Sequence, residues 1–379
     1  MEGRLAYVAG TYPALEETFV TGELRELRRL GEDPLVFAVI RGDAGLRGAP
    51  PATYVVELAK PRQAWALVRL LARAPGRTLR ALRDPERRFG GSARDMAALA
   101  PMALSLRGTR HIHAHFATQP TDVAGRLSSL TGLPFSFTAH AHDIFVEWER
   151  MEEKLAAAAF SVTVCEYNRA YMRERVPGAD PRVVICGVDV DEFSRTRPYA
   201  PDGPVVAVGR LVEQKGFEYL VRAAALARGR IPEVRIAGRG PLLEPLSALA
   251  AELDAPVAFT GPVEHGAVRP LYEEASMAAL PCVVAADGNR DSMPVSVKEA
   301  MALELPVVTT REVGMPELVD EDRGMLVPPR DAEALAAALV DLYARPAAER
   351  EAMGRAGRAF IRQRCDIRAE TARLHAMFP

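Results

Sequence analysis

The chain has 379 residues, 49% of them hydrophobic and 26% charged, with a formal net charge of −2. That length exceeds one ordinary core and predicts two domains, while the near-neutral balance gives no overall pull toward nucleic acid. No apolar stretch approaches the ~18 residues of a membrane span, and the first apolar run starts too close to Met1 to leave room for a signal peptide.

In the first half, strands are expected at residues 4–9, 34–39, 111–115, 134–138, 161–165 and 182–186, with helices between most of them. Gly10-Thr11 closes the first strand, and Glu17, Thr18 and Phe19 open the helix after it. Between Lys60 and Arg94 stand ten Lys or Arg and only two acids, Asp84 and Glu86, with Trp65, Val68 and Leu71–Ala72 at helical spacing. Such a segment is either a solvated arginine-rich surface or a helix that docks on an anionic membrane face. Five of the seven histidines follow in two clusters. His111, His113 and His115 alternate on a strand and so share one face, and His140 and His142 do the same at the next strand end. The clusters suggest metal at first sight, but no complete ligand pattern is present and none is expected to bind one. The cysteines at 165, 186, 282 and 365 lack a C-x-x-C pair and read as reduced thiols of a cytoplasmic protein.

Arg195–Pro204, with three prolines and little apolar content, is the expected linker. Beyond it the strand–glycine–helix scheme sharpens, with strands at residues 205–208, 234–237, 257–260, 278–281, 307–310 and 324–327. Repetition of that unit predicts parallel sheets with helices on both faces. The reading is two doubly wound α/β domains, 1–194 and 195–357, followed by a strandless helical tail at 358–379.

The densest chemistry lies in Asp291-Ser292-Met293-Pro294-Val295-Ser296-Val297-Lys298-Glu299. Pro294 suits a first helical turn, so Asp291 is expected in the loop before a helix and Glu299 about two turns down it. Free N–H groups of a first turn suit a phosphate, and ionised carboxylates suit sugar hydroxyls. A nucleotide sugar carries both. Arg210 and Lys215 stand just past the end of another expected strand, where ligands bind in open parallel sheets.

These residues resemble the Glu-x7-Glu signature of family 4 retaining glycosyltransferases with the GT-B fold. Gly209-Arg210-Leu211 with Lys215-Gly216 resembles that family's G-R-L-x-x-x-K-G segment, and Gly238-Arg239-Gly240-Pro241 its G-x-G-P turn. Gly314-Met315-Pro316-Glu317-Leu318-Val319 and Gly324-Met325-Leu326-Val327 resemble its tail. Tyr12-Pro13 with Glu17-Thr18-Phe19, and Thr138-Ala139-His140 with Asp143, resemble segments of bacterial exopolysaccharide transferases.

The resemblance implies two Rossmann-like domains facing each other across a cleft, the second holding the donor and the first the acceptor, with the C-terminal helix crossing back to the first. It implies a retaining hexosyl or N-acetylhexosaminyl transfer from a UDP- or GDP-linked sugar to a glycan or lipid-linked acceptor in cell-surface polysaccharide synthesis. No cofactor or metal is expected, because Arg210 and Lys215 take a cation's place at the diphosphate. Asp189-Val190-Asp191 has metal-binding spacing but falls in an interdomain segment and reads as structural. Glu299 is implied to receive the ribose, and Asp291 the donor hexose. The family most often has Glu at that first position, and Asp is shorter by roughly 1.5 Å, one carbon–carbon bond. Gly10, Gly209, Arg239, Gly240, Val263 and residues 292–295 complete the implied donor site. His140 is implied to meet the reacting sugar, with Glu17, His115 and His142 as further acceptor-side candidates. Glu17 has the equally simple reading of an acid stabilising its helix dipole. The enzyme is then expected in the cytoplasm, with peripheral contact to the inner membrane face through residues 60–94. The competing readings are an epimerase or phosphorylase of the same architecture, the latter with pyridoxal phosphate on Lys215 or Lys298, and a nucleotide-sugar-binding subunit without turnover.

Overall fold

The computed structural model describes residues 3–14, 17–42, 49–57, 59–84, 86–263 and 265–379. They pack into two units. The first comprises Met1–Val164, Arg169–Val184 and Thr371–Pro379, and the second Cys165–Asn168 and Ile185–Glu370.

The first unit is built on a parallel sheet of β1 (Arg4–Tyr12), β2 (Leu35–Arg41), β3 (Ala52–Tyr54), β4 (Thr109–His115), β5 (Phe135–Ala139), β6 (Phe160–Thr163) and β7 (Arg182–Val183), in the order β3-β2-β1-β4-β5-β6-β7. Leu5 to Ala9 form a continuous apolar run because helices cover this strand on both faces. On one face Ala6, Val8, Ile112, Ala114 and Phe137 form a core with the helix Gln119–Thr131. On the other, Leu5, Tyr7 and Ala9 meet Val162, Leu374 and Phe378. The last residues of the chain thus complete the first unit's core. β1 extends past Gly10 to Tyr12, which still pairs with Arg41, so Gly10 lies within the strand rather than at its end. β3 escaped the sequence because Ala52-Thr53-Tyr54 is three residues long and follows two prolines.

The second unit holds β8 (Val205–Val208), β9 (Val234–Ala237), β10 (Val257–Gly261), β11 (Met277–Leu280), β12 (Val307–Thr310) and β13 (Gly324–Val327), parallel throughout and ordered β10-β9-β8-β11-β12-β13. The expected linker is strapped to this unit. Arg195 Nε donates to the Leu303 carbonyl at 3.0 Å, Tyr199 Oη to the Ser276 carbonyl at 2.6 Å, and Arg350 Nη1 to the Pro201 carbonyl at 2.8 Å. Asp189 Oδ1 accepts the N–H groups of Asp191 and Glu192 at 3.1 Å, and Arg368 Nη1 reaches Asp191 Oδ2 at 2.5 Å, so this acid pair closes a turn. Gly357 does not start the final helix but lies inside the helix Ala347–Arg364, and a separate helix Ile367–His375 follows. The glycine that the long helix requires is Gly354, where a Cβ would stand 1.9 Å from the Glu304 carbonyl oxygen.

Candidate functional site

In the second sheet the chain runs outward from β8 through β9 to β10, then returns to place β11 on the other side of β8. The order reverses between β8 and β11, and the loops beyond their C-terminal ends form the switch point at which open α/β sheets bind ligands. Both halves of the candidate site lie on these loops.

After β8, a short 3-10 turn Glu213–Lys215 ends at Gly216, whose φ of 67° and close approach to the Pro281 carbonyl oxygen (1.9 Å from a Cβ) admit no side chain. The turn carries Lys215 inward. Its Nζ lies 3.0 Å from Asp291 Oδ1, with side-chain exposures of only 11% and 21%. The other carboxylate oxygen, Oδ2, lies 3.7 Å from Cys282 Sγ. Burial pushes the Cys282 thiol well above its usual range, the Asp291 charge pushes it further, and Lys215 opposes them. Asp291 is thus engaged by a cation on one oxygen and a thiol on the other.

Gly209 leaves room for the Lys215 stem, whose Cε would lie 3.4 Å from a Cβ there. Loops 209–211 and 238–242 are stitched together: Gly209 N–H donates to the Ala237 carbonyl at 3.0 Å, Leu211 N–H to the Arg239 carbonyl at 2.8 Å, and Leu242 N–H to the Leu211 carbonyl at 3.1 Å. A Cβ at Gly238 would stand 1.8 Å from Gly209 O, and one at Gly240 2.4 Å from Leu211 O. Close backbone contact therefore requires glycine at both positions of this turn. Arg210 and Arg239 project from the two joined loops with exposed side chains. Val263 is half-buried beyond β10.

The helix after the acid loop is Val295–Ala302, with Pro294 at its N-cap rather than in its first turn. Glu299 is its fifth residue, about one turn down at ~3.6 residues per turn, not two. It is 7% exposed, and its charge adds to the burial that pushes the Tyr272 hydroxyl far above its usual value. Ser292, Met293 and Pro294 are buried and Val295 is half-buried. The Ser292 side chain is held by Asn168, 2.9 Å from its Nδ2, and the Ser292 carbonyl accepts Gly314 N–H at 3.0 Å. Residues 292–294 thus offer backbone and a fixed loop. Lys298 is fully buried and donates to the Cys186 carbonyl, away from any open face. Glu317, which sequence reading left without a role, accepts the N–H groups of Glu166 and Tyr167 at 3.0 Å and so caps the helix Glu166–Arg175.

The first unit has its own switch point between β1 and β4. His111, His113 and His115 do share one face of β4, and all are buried at 0–1% exposure. His111 Nε2 and His113 Nδ1 share Ser136 Oγ at 2.7 and 2.8 Å, and His113 Nε2 meets Thr138 Oγ1 at 3.1 Å. Burial depresses His111 to about 4 and His113 well below its usual value. His115 Nδ1 lies 3.2 Å from His140 Nε2, and His115 Nε2 lies 3.1 Å from Glu23 Oε1. Glu23, His113 and His115 bring donor atoms within 4.8 Å of one another, but a metal there would have to break these hydrogen bonds.

The second histidine pair does not share a face. β5 ends at Ala139, and His142 starts a short helix, exposed and 3.3 Å from Glu147 Oε1. His140 is buried, its ring between Phe19 and Phe116 at centroid distances of 4.8 and 4.3 Å. Asp143, fully buried, explains the rest of that motif: its carboxylate accepts the N–H groups of Ala117, His140 and Ala141 at 2.7–3.0 Å, pinning the loops after β4 and β5 together. Glu17 sits at the N-cap of the helix Thr18–Arg29 without a side-chain cap bond, one position before the first turn. Sequence spacing gave no sign of Glu23, because it acts on His115, ninety-two positions away.

A family described as "Glycosyl transferases group 1" matches residues 203–345, the stretch that carries the Lys215–Asp291 pair. The putative colanic acid biosynthesis glycosyltransferase WcaL of Escherichia coli is 38% identical over 157 residues, which are 40% of this chain and 39% of that protein, so the likeness spans less than half of the relative's length. The solved structure of Anabaena Alr3699/HepE in complex with UDP and glucose superposes with a TM-score of 0.74 at 16% identity, over 99% of this chain and 98% of that one. The fold is accordingly GT-B. The GDP-mannose-dependent alpha-(1-6)-phosphatidylinositol monomannoside mannosyltransferase of Mycolicibacterium smegmatis is 30% identical over 298 residues, 77% of this chain and 75% of that protein. With the glycine turns, the Lys215–Asp291 pair and the switch-point topology in place, this breadth of likeness makes the chain a member of the group 1 glycosyltransferases.

Proposed function

We propose that the chain transfers a hexosyl or N-acetylhexosaminyl group, with retention, from a nucleoside-diphosphate sugar to a glycan or lipid-linked acceptor in polysaccharide synthesis, without a metal. The observation that carries this reading is the inward-turned Lys215 beside Asp291 at the switch point, with exposed Arg210 on the same loop. In the transfer, the bond from the anomeric carbon to the diphosphate breaks and an acceptor oxygen bonds to that carbon on the same face. The acceptor's proton goes to the departing diphosphate. Two cations, Lys215 and Arg210, stabilise the charge that develops there.

Glu299 then takes the ribose hydroxyls and the first turn of the helix Val295–Ala302 faces phosphate. Asp291 meets the hexose only by sharing an oxygen already engaged by Lys215 or Cys282, so its first role is to aim Lys215. The likeness to a GDP-mannose-dependent relative and to a UDP complex supports both bases as candidates. The reading is tested by a thermal-shift screen of UDP-, GDP-, ADP- and TDP-sugars in chelator, because a ligand of the folded state alone raises the melting point with its affinity. One donor series should shift it and then turn over with a lipid or glycan acceptor. A shift without turnover above hydrolysis would favour a binding subunit, and no shift would overturn the proposal.

A further inference from the structure

We propose that Glu23 and His115 are positioning residues that fix the ring orientation and tautomer of His140. The inference rests on the reading of His140 as a group that meets the reacting sugar. Glu23 projects from the helix Thr18–Arg29, and its Oε1 accepts the Tyr7 hydroxyl at 2.8 Å while lying 3.1 Å from His115 Nε2. A carboxylate only accepts, so His115 Nε2 carries the proton in that contact. Tyr7 stays a donor, since burial pushes its hydroxyl well above the usual phenol value and Glu23 pushes it further.

His115 Nδ1 then faces His140 Nε2 at 3.2 Å. The proposed chain is completed with His115 Nδ1 as the acceptor and His140 Nε2 as the donor. The lone pair of His140 is thereby assigned to Nδ1, the nitrogen that accepts a hydrogen bond from a sugar hydroxyl. Phe19 and Phe116 grip the ring and Asp143 grips the His140 backbone N–H at 3.0 Å, but neither contact distinguishes the two tautomers. The chain from Glu23 does. His113 is unsuited to that task, because its two nitrogens already meet Ser136 and Thr138.

The test is nitrogen NMR of ring-labelled histidines in the full-length protein, with His140 assigned from the signal lost in His140→Gln. Wild-type His140 should be protonated at Nε2, and Tyr7→Phe, which keeps the carboxylate, should preserve that state. Glu23→Gln should mix the tautomers and lower kcat by about tenfold, below the ~10²-fold scale of a lost acid–base group. The donor KM should stay within about twofold, because the effect belongs to the reacting step. Protonation of wild-type His140 at Nδ1, or an unchanged tautomer in Glu23→Gln, would overturn the proposal. The wild-type spectrum decides even if Glu23→Gln fails to fold. Turnover of His140→Ala separates the two readings: undiminished turnover removes His140 from the reaction, while the ring tautomer judges the Glu23–His115 chain without any turnover.

Discussion

Lys215 and Asp291 are legible as single residues in their motifs, but their pairing is not. The sequence shows a lysine before a glycine and an acid before a helix, seventy-six positions apart. Only the parallel neighbours β8 and β11 bring the two loops together. The pair is partly buried, so removing the lysine takes away the cation on Asp291 Oδ1 and leaves Cys282 on Oδ2. Lys215→Met should cost about 1–2 kcal/mol of stability, between the values for exposed and buried pairs, as measured by denaturant unfolding. The same substitution should lower turnover by on the order of 10²-fold or more, the scale of a lost oxyanion-type donor. The thiols give a second check at this scale. Burial raises Cys165 to about 12, Cys365 to about 11 and Cys282 well above its usual value. Because the thiolate is the reactive species, native protein at pH 8 should react slowly with alkylating reagents at all three. Half-buried Cys186 should be labelled first, with peptide mass mapping as the readout.

At the scale of elements, β4 carries a pH liability. Its face of histidines was readable from strict alternation, but the depressed values of His111 and His113 were not, since burial against Phe160, Phe378 and β5 causes them. Folded His111 titrates near 4, against an unfolded value of 6.5, and His113 shifts the same way. Between those pH values the unfolded chain binds protons that the folded chain refuses. Stability is therefore full above about pH 6.5 and falls toward pH 4, by up to about 1.4 kcal/mol per pH unit for each such histidine. Calorimetry of His111→Phe should show about one proton fewer taken up on unfolding at pH 5, if the hydroxyl of Ser136 keeps His113 as its partner. The long helix Ala347–Arg364 offers a packing test. Gly354→Ala places a methyl 1.9 Å from the Glu304 carbonyl oxygen and should cost about 1–3 kcal/mol, the range for overpacking. The helix Lys60–Arg73 leaves Trp65 and Val68 60% and 64% exposed, with the Arg69 guanidinium 4.4 Å from the Trp65 ring. A cationic helix with bare apolar side chains suits an anionic lipid surface. In co-sedimentation, anionic vesicles should retain the protein at low salt and neutral ones should not. Trp65→Ala with Val68→Ser should weaken that retention.

For the molecule as a whole, alternation of strand, glycine and helix was enough to foresee two parallel sheets, because each unit repeats one βα step. Where the chain passes from one unit to the other was not foreseeable. Pro198, Pro201 and Pro204 look like a linker in sequence, yet the Arg195 side chain reaching the Leu303 carbonyl and Arg350 reaching the Pro201 carbonyl tie that stretch to the second unit. The last helix changes unit at Thr371 without any glycine or proline to mark it. Among the described residues no helix is long and apolar enough to cross a membrane. In the proposed function a nucleoside diphosphate is held at the β8–β11 switch point by Lys215 and Arg210 without a metal. Titration calorimetry of UDP and GDP into protein kept in chelator tests it most directly. One of them should bind, and Lys215→Ala and Arg210→Ala should each weaken binding by about 10- to 100-fold, the value of a charge-assisted hydrogen bond. Binding that appears only with added divalent cation, or that is unchanged in both variants, would contradict it.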